Sequence, residues 1–157
     1  MIAEALRSRL AAALDPRAEV LEAYLFGSQA TGSAQLHSDI DVAVFVDASR
    51  CPTGGTFGYE ADLTAALMAA LGESRVDLVV LNRAPPLLYH RVLRDGIRIL
   101  ARDLRATTTR EGYALSRYCD FVPQLAKIDA ARRGTGAREP VEEADRGAPH
   151  IALNRPA

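Results

Sequence analysis

A Gly-Ser pair, Gly27 and Ser28, follows the apolar run Val20 to Phe26, and after ten intervening residues Asp39 and Asp41 open a second apolar run, Val42 to Val46. In an extended strand, residues two apart share a face, so Asp39 and Asp41 are expected to project side by side. Adjacent anions repel unless a cation lies between them. Mg2+ suits such a pair, because it takes a few carboxylate oxygens and leaves its other positions to water and phosphate. Gly27 lets phosphate approach the backbone, the short helix predicted over Ser28 to Ser33 would point free N–H groups at an anion, and Ser28 adds a hydroxyl. Asp77 interrupts the apolar run Val76 to Leu81, and a charge inside such a strand is costly unless it is paired or bound to metal. If the two strands are parallel neighbours, three carboxylates meet at one sheet edge. That set makes a two-metal site physically sensible. One ion would clamp a triphosphate and the other acidify an attacking hydroxyl, with Asp77 placed to hold the second ion and accept the proton. In-line displacement at an α-phosphorus, with pyrophosphate leaving, needs little beyond such neutralisation and alignment.

Each part alone has a plainer reading. A Gly-Ser turn after a strand is most often only a turn, an Asp-x-Asp at a strand start is more often solvated or capping, and a lone strand Asp commonly guards an edge. The conjunction, at this spacing and with one consistent topology, favours the site.

The elements that must position these residues follow from periodicity. Ile2, Leu6, Leu10, Ala13 and Leu14 predict a helix ended near Asp15-Pro16, Val20 to Phe26 a strand, and Ile40 to Val46 the clearest strand. Residues 47–58, with Pro52, Gly54, Gly55 and Gly58, read as a flexible loop. Tyr59 to Leu71 predicts a helix stopped by Gly72, Val76 to Leu81 a third strand, Pro86 to Arg94 a short helix, and Ile97 to Leu100 a fourth strand. Thr107 to Ala130 predicts a longer helix that Pro123 must kink or divide. The alternation implies an α/β fold, a small mixed sheet flanked by helices, with the second and third strands parallel and adjacent.

At 157 residues the chain is sized for one domain, read here as 1–131 with 132–157 as a disordered tail rich in Gly, Pro, Arg and Glu. A net charge of -1 gives no ground for direct nucleic-acid or membrane-surface binding. Lys127 is the only lysine, so basic spots are built from Arg. Cys51 and Cys119 define neither a disulfide framework nor a zinc site. No apolar run reaches the roughly 18–20 residues a bilayer span needs, and Glu4, Arg7 and Arg9 interrupt any signal-peptide layout, so a cytoplasmic location is expected. His37 reads as a solvated loop residue, Tyr89 and His90 as packing, and Arg91, Arg94 and Arg98 as a solvated face.

Gly27, Ser28, Asp39 and Asp41 also carry the pattern Gly-Ser, ten residues, Asp-x-Asp without a gap, and Asp77 fits its third carboxylate. In these residues the chain resembles the nucleotidyltransferase superfamily of the DNA polymerase β type. Its size resembles the minimal nucleotidyltransferases. The segments Leu87 to Leu93, Gly96 to Leu100 and Arg117 to Pro123 are similar to MntA-type antitoxins, so the resemblance spans roughly residues 5–130. It implies a polymerase β palm-like fold and a HEPN-domain ribonuclease toxin as partner, with AMP passing from ATP to a toxin tyrosine. Gly27 and Ser28 would then serve the ATP phosphates, Asp39 and Asp41 Mg2+, and Asp77 both Mg2+ and the base function. The loop 47–58 and the helix from Thr107 are the expected docking surfaces. Two alternatives stay open. Nucleotidyl transfer to a small molecule such as an aminoglycoside normally needs an extra helical domain, for which there is no room. A binding-only antitoxin predicts eroded carboxylates, and all three are present.

Overall fold

Leu6, Leu10 and Leu14 recur every four residues, and Ile2–Leu14 forms a helix, α1, that buries all three. The computed structural model describes residues 2–52 and 55–134. Along it follow β1 (Val20–Phe26), α2 (Gly27–Thr31), β2 (Ile40–Val46), α3 (Gly55–Leu71), β3 (Val76–Val80), α4 (Pro86–Asp95), β4 (Ile97–Ala101) and α5 (Leu104–Gly134). The strands form one mixed sheet in the order β3-β2-β1-β4, with β1 antiparallel to both neighbours and β2 parallel to β3. The parallel β2–β3 pair read from the crossover helix is present.

Alternation along the strands divides the core in two. Val42, Val44, Val46, Leu78 and Val80 turn to one face, where α1 and α3 cover them. Tyr24, Phe26, Ala43, Phe45 and Val79 turn to the other, with Tyr89 and Val92 of α4 and Ala114 of α5. Asp41 and Asp77 alternate onto this second face.

Several boundaries differ from expectation. The loop read over 47–58 is shorter, because Ala48–Arg50 makes a 3-10 turn, capped by the Asp47 side chain, and α3 already begins at Gly55. Residues 53 and 54 of that loop lie outside the described residues. The third strand stops at Val80, since Leu81–Arg83 forms a 3-10 turn. Pro123 does not divide α5, which runs unbroken from Leu104 to Gly134. Proline there removes only the bond to the Cys119 carbonyl, and Cys119 is exposed, so water can replace the lost donor. Of the predicted tail, residues 132–134 belong to α5, and 135–157 lie outside the described residues.

A charged network ties α5 to the sheet. Glu22, in mid-strand and fully buried, accepts bonds from Arg110 Nε at 3.1 Å and Nη2 at 3.0 Å and from the Tyr89 hydroxyl at 3.3 Å. The Arg110 guanidinium also lies 4.8 Å from the centre of the Phe45 ring. Next to Arg110 on α5, Glu111 accepts from Tyr24 at 2.8 Å and from Arg98 at 2.6 Å. Burial and the neighbouring glutamates raise the Tyr24 and Tyr89 hydroxyl pKa values, so both stay protonated donors. Removing the cation from a buried carboxylate leaves an uncompensated charge. Arg110→Ala is therefore expected to lower the unfolding free energy by about 3–5 kcal/mol, read as a lower urea midpoint at unchanged slope.

Candidate active site

Gly27 is where β1 gives way to α2, and its backbone adopts a left-handed φ of 68°. A Cβ there would stand 2.0 Å from Asp41 Oδ2 and 2.9 Å from Asp41 Cγ. The turn thus lies directly against the Asp41 carboxylate, and only glycine fits. The short helix starts at Gly27 rather than Ser28, capped by no side chain. Ser28 is half-buried beside the turn, and its hydroxyl makes no hydrogen bond among the described residues.

β2 and β3 pair in parallel with Asp41 opposite Asp77. Asp39 precedes β2 rather than lying within it. Its segment is tied to the start of β3 by Ile40 N–H donating to the Arg75 carbonyl at 3.0 Å and Arg75 Nη1 donating to the His37 carbonyl at 2.7 Å. Asp39 and Asp77 are exposed and Asp41 is half-buried. The structure therefore brings Gly27, Asp41 and Asp77 together, with Asp39 and Ser28 adjoining. A polar cavity of about 230 Å³, lined by Gln29, His37, Ser38, Glu73 and Arg75, adjoins the loop that carries Asp39.

The electrostatics of the cluster call for a cation. Burial raises the Asp41 pKa, and the charges of Asp77 and then Asp39 raise it further. Among the described residues no Arg, Lys or His forms a salt bridge with any of the three carboxylates. Nor do three acidic, His or Cys side chains among them already stand close enough together to hold an ion. An all-oxygen donor set of this kind fits a hard divalent ion such as Mg2+.

The remaining residues take structural places. His37 is exposed, Tyr89 is buried, and the His90 ring stacks on Tyr118 at 3.7 Å. Arg94 pairs with Asp95 and Arg98 with Glu111. Sequence reasoning missed Arg75, whose backbone and side chain both fasten the Asp39 segment to β3. It also missed Arg102, which bonds the carbonyls of Leu14, Asp15, Arg17 and Val20 and so fixes the turn from α1 into β1. Neither has a local signal, since both act on backbone brought near only by the fold. Glu22 did have one, a lone charge inside an apolar strand.

The family and the fold have counterparts among known proteins. Residues 9–105 match the family described as Polymerase beta, Nucleotidyltransferase. A protein solved as a toxin–antitoxin complex with AMP-PNP is 25% identical, with a TM-score of 0.66 over 80% of this chain and 98% of its own. A substituted MntA toxin–antitoxin complex is 27% identical, with a TM-score of 0.63 over 80% of this chain and 96% of its own. The MNT antitoxin of Shewanella oneidensis, solved with a tri-AMPylated HEPN toxin, shares the fold at 23% identity and a TM-score of 0.62, over 83% of this chain and 98% of its own. No curated protein sequence matches the chain.

Proposed function

As the chain belongs to the polymerase β-type nucleotidyltransferase family and is a nucleotidyltransferase, we propose that it is an antitoxin transferring AMP from ATP, with Mg2+, to a tyrosine of a partner HEPN-type ribonuclease toxin in the cytoplasm. The observation that carries the reading is the Asp41–Asp77 pair with Gly27 packed against it. The toxin–antitoxin relatives, one of them with AMP-PNP, support the donor and the partner class. Repeated transfer, as on the toxin of the Shewanella complex, belongs to the same reading.

Asp39, Asp41 and Asp77 would hold Mg2+, which when bound neutralises the triphosphate and acidifies the attacking hydroxyl. Gly27 lets the backbone turn close against Asp41, and the free Ser28 hydroxyl donates to a phosphate oxygen. Asp77 is exposed on an edge strand, where an incoming tyrosine can reach it. It takes the phenolic proton as the tyrosine oxygen bonds to the α-phosphorus and the bond to the departing pyrophosphate breaks. AMP on the toxin adds bulk and negative charge where RNA phosphate must bind.

Helix α5 supplies a docking surface. Its buried residues are Thr107 and Ala114, both in the first half. Farther along, Phe121, Val122, Leu125 and Ile128 recur at helical spacing, with Val122 41% and Ile128 45% exposed. An apolar stripe of this kind fits an apolar groove on a partner protein. Val122→Asp with Ile128→Asp is expected to weaken toxin association by about 2–4 kcal/mol in calorimetry, with helix content unchanged by circular dichroism.

Incubating the chain with ATP, Mg2+ and the product of the adjacent gene tests the whole reading. AMP appears on the toxin tyrosine by intact and peptide mass. Transfer of AMP to an added aminoglycoside instead, or tight association with no transfer, overturns it.

A further inference from the structure

A second cavity opens on the same sheet face as the carboxylates. It measures about 480 Å³ and is lined by Phe45, Leu81, Asn82, Arg110, Tyr113 and Arg117 among others. Phe45 lies four residues beyond Asp41 on β2, and Leu81 four beyond Asp77, so its floor is about 13 Å from the site at some 3.3 Å per strand residue. That distance is too long for its side chains to touch the reacting phosphorus, and short enough for an attached nucleotide to bridge. Two of its features select a ligand. Tyr113 is 68% exposed at the rim, a ring with a free face. Arg110 is already held by Glu22, whereas Arg117 has no hydrogen-bond or ion-pair partner among the described residues. An aromatic wall and an unpaired guanidinium over an apolar floor match a nucleobase, whose ribose then extends toward the carboxylates.

We propose that this groove holds the AMP unit already joined to the acceptor, and so positions it for a further transfer. The inference rests on the AMP-transfer reading above and extends it to the second addition. A ribose hydroxyl of the held AMP forms the new bond to the α-phosphorus of the next ATP. The bond to pyrophosphate breaks, pyrophosphate leaves, and the hydroxyl proton passes to Asp77.

Two measurements on the full chain test the groove. In the first, AMP is titrated with Mg2+ and saturating AMP-PNP, so that the triphosphate site is filled. AMP binds, and Arg117→Glu weakens it about tenfold or more, the scale of one lost guanidinium–base contact. Equal binding by Arg117→Glu, or no AMP binding, overturns the proposal. In the second, the toxin is sampled by intact mass during incubation with ATP. Arg117→Glu adds the first AMP at the rate of the unsubstituted chain and the second about tenfold more slowly. An unsubstituted chain that stops at one unit, or a variant that slows every addition alike, overturns the groove and leaves the first transfer standing. If no AMP is added at all, the transfer reading fails and the AMP titration still decides the groove.

Discussion

Replacing both Asp39 and Asp41 by alanine is expected to reduce AMP transfer by about 10³-fold or more, because under the proposed mechanism it removes two of the three carboxylates that would hold Mg2+ at the reacting phosphorus. The same change leaves the fold intact and does not destabilise the metal-free protein. Asp41 is held half-buried beside Asp77 and near Asp39, where burial and like charge raise its pKa. A carboxylate with a folded-state pKa above its unfolded one contributes stability that is fully present below the unfolded pKa and is lost as pH rises through the folded value. The ionised group is thus a liability at neutral pH. Asp41→Asn flattens this dependence in chemical denaturation between the two pKa values, measured in EDTA. Transfer assays and denaturation curves together separate a catalytic defect from unfolding. A double variant that still labels the toxin at the unsubstituted rate removes the carboxylates from the mechanism.

The second large effect is expected at Gly27. Gly27→Ala places a methyl 2.0 Å from Asp41 Oδ2 at a backbone φ of 68°. The left-handed conformation alone costs about 1–2 kcal/mol for a residue with a side chain. The overlap also displaces the carboxylate, and a shift near 1 Å in a reacting geometry lowers a rate by about 10²-fold. Gly72 supplies the control, since its φ is 64° but nothing lies within 4 Å of its added Cβ. Gly72→Ala shares the backbone strain and spares the site. Similar urea midpoints with transfer lost only in Gly27→Ala locate the effect at Asp41. Equal transfer in the two variants means that the Gly27 turn does not hold the carboxylate.

How much of this was legible in the chain depends on how local each signal is. Gly27, Ser28, Asp39 and Asp41 lie within fifteen residues of one another, and their spacing exposes them without any fold. Asp77 became legible through one topological step, because a helix between two apolar runs implies parallel neighbours. The central position of β1 carries no such local mark, since its antiparallel partners β2 and β4 are chosen by the fold as a whole. The Glu22–Arg110 pair spans 88 residues, so only the lone charge in the strand hinted at it. Proline does not divide α5, for a different reason. The rule that proline breaks helices assumes that the freed carbonyl has no other donor, and on an exposed helix water supplies one. Arg75 and Arg102 act through backbone carbonyls, which no side-chain pattern reveals.

Counting bound Mn2+ by electron paramagnetic resonance, with Mn2+ standing in for Mg2+ and AMP-PNP present, tests the metal site without relying on turnover. The unsubstituted chain takes up Mn2+ together with the nucleotide, and the Asp39→Ala, Asp41→Ala double variant loses it while remaining folded. Equal Mn2+ uptake by the two proteins would contradict the assignment of these carboxylates.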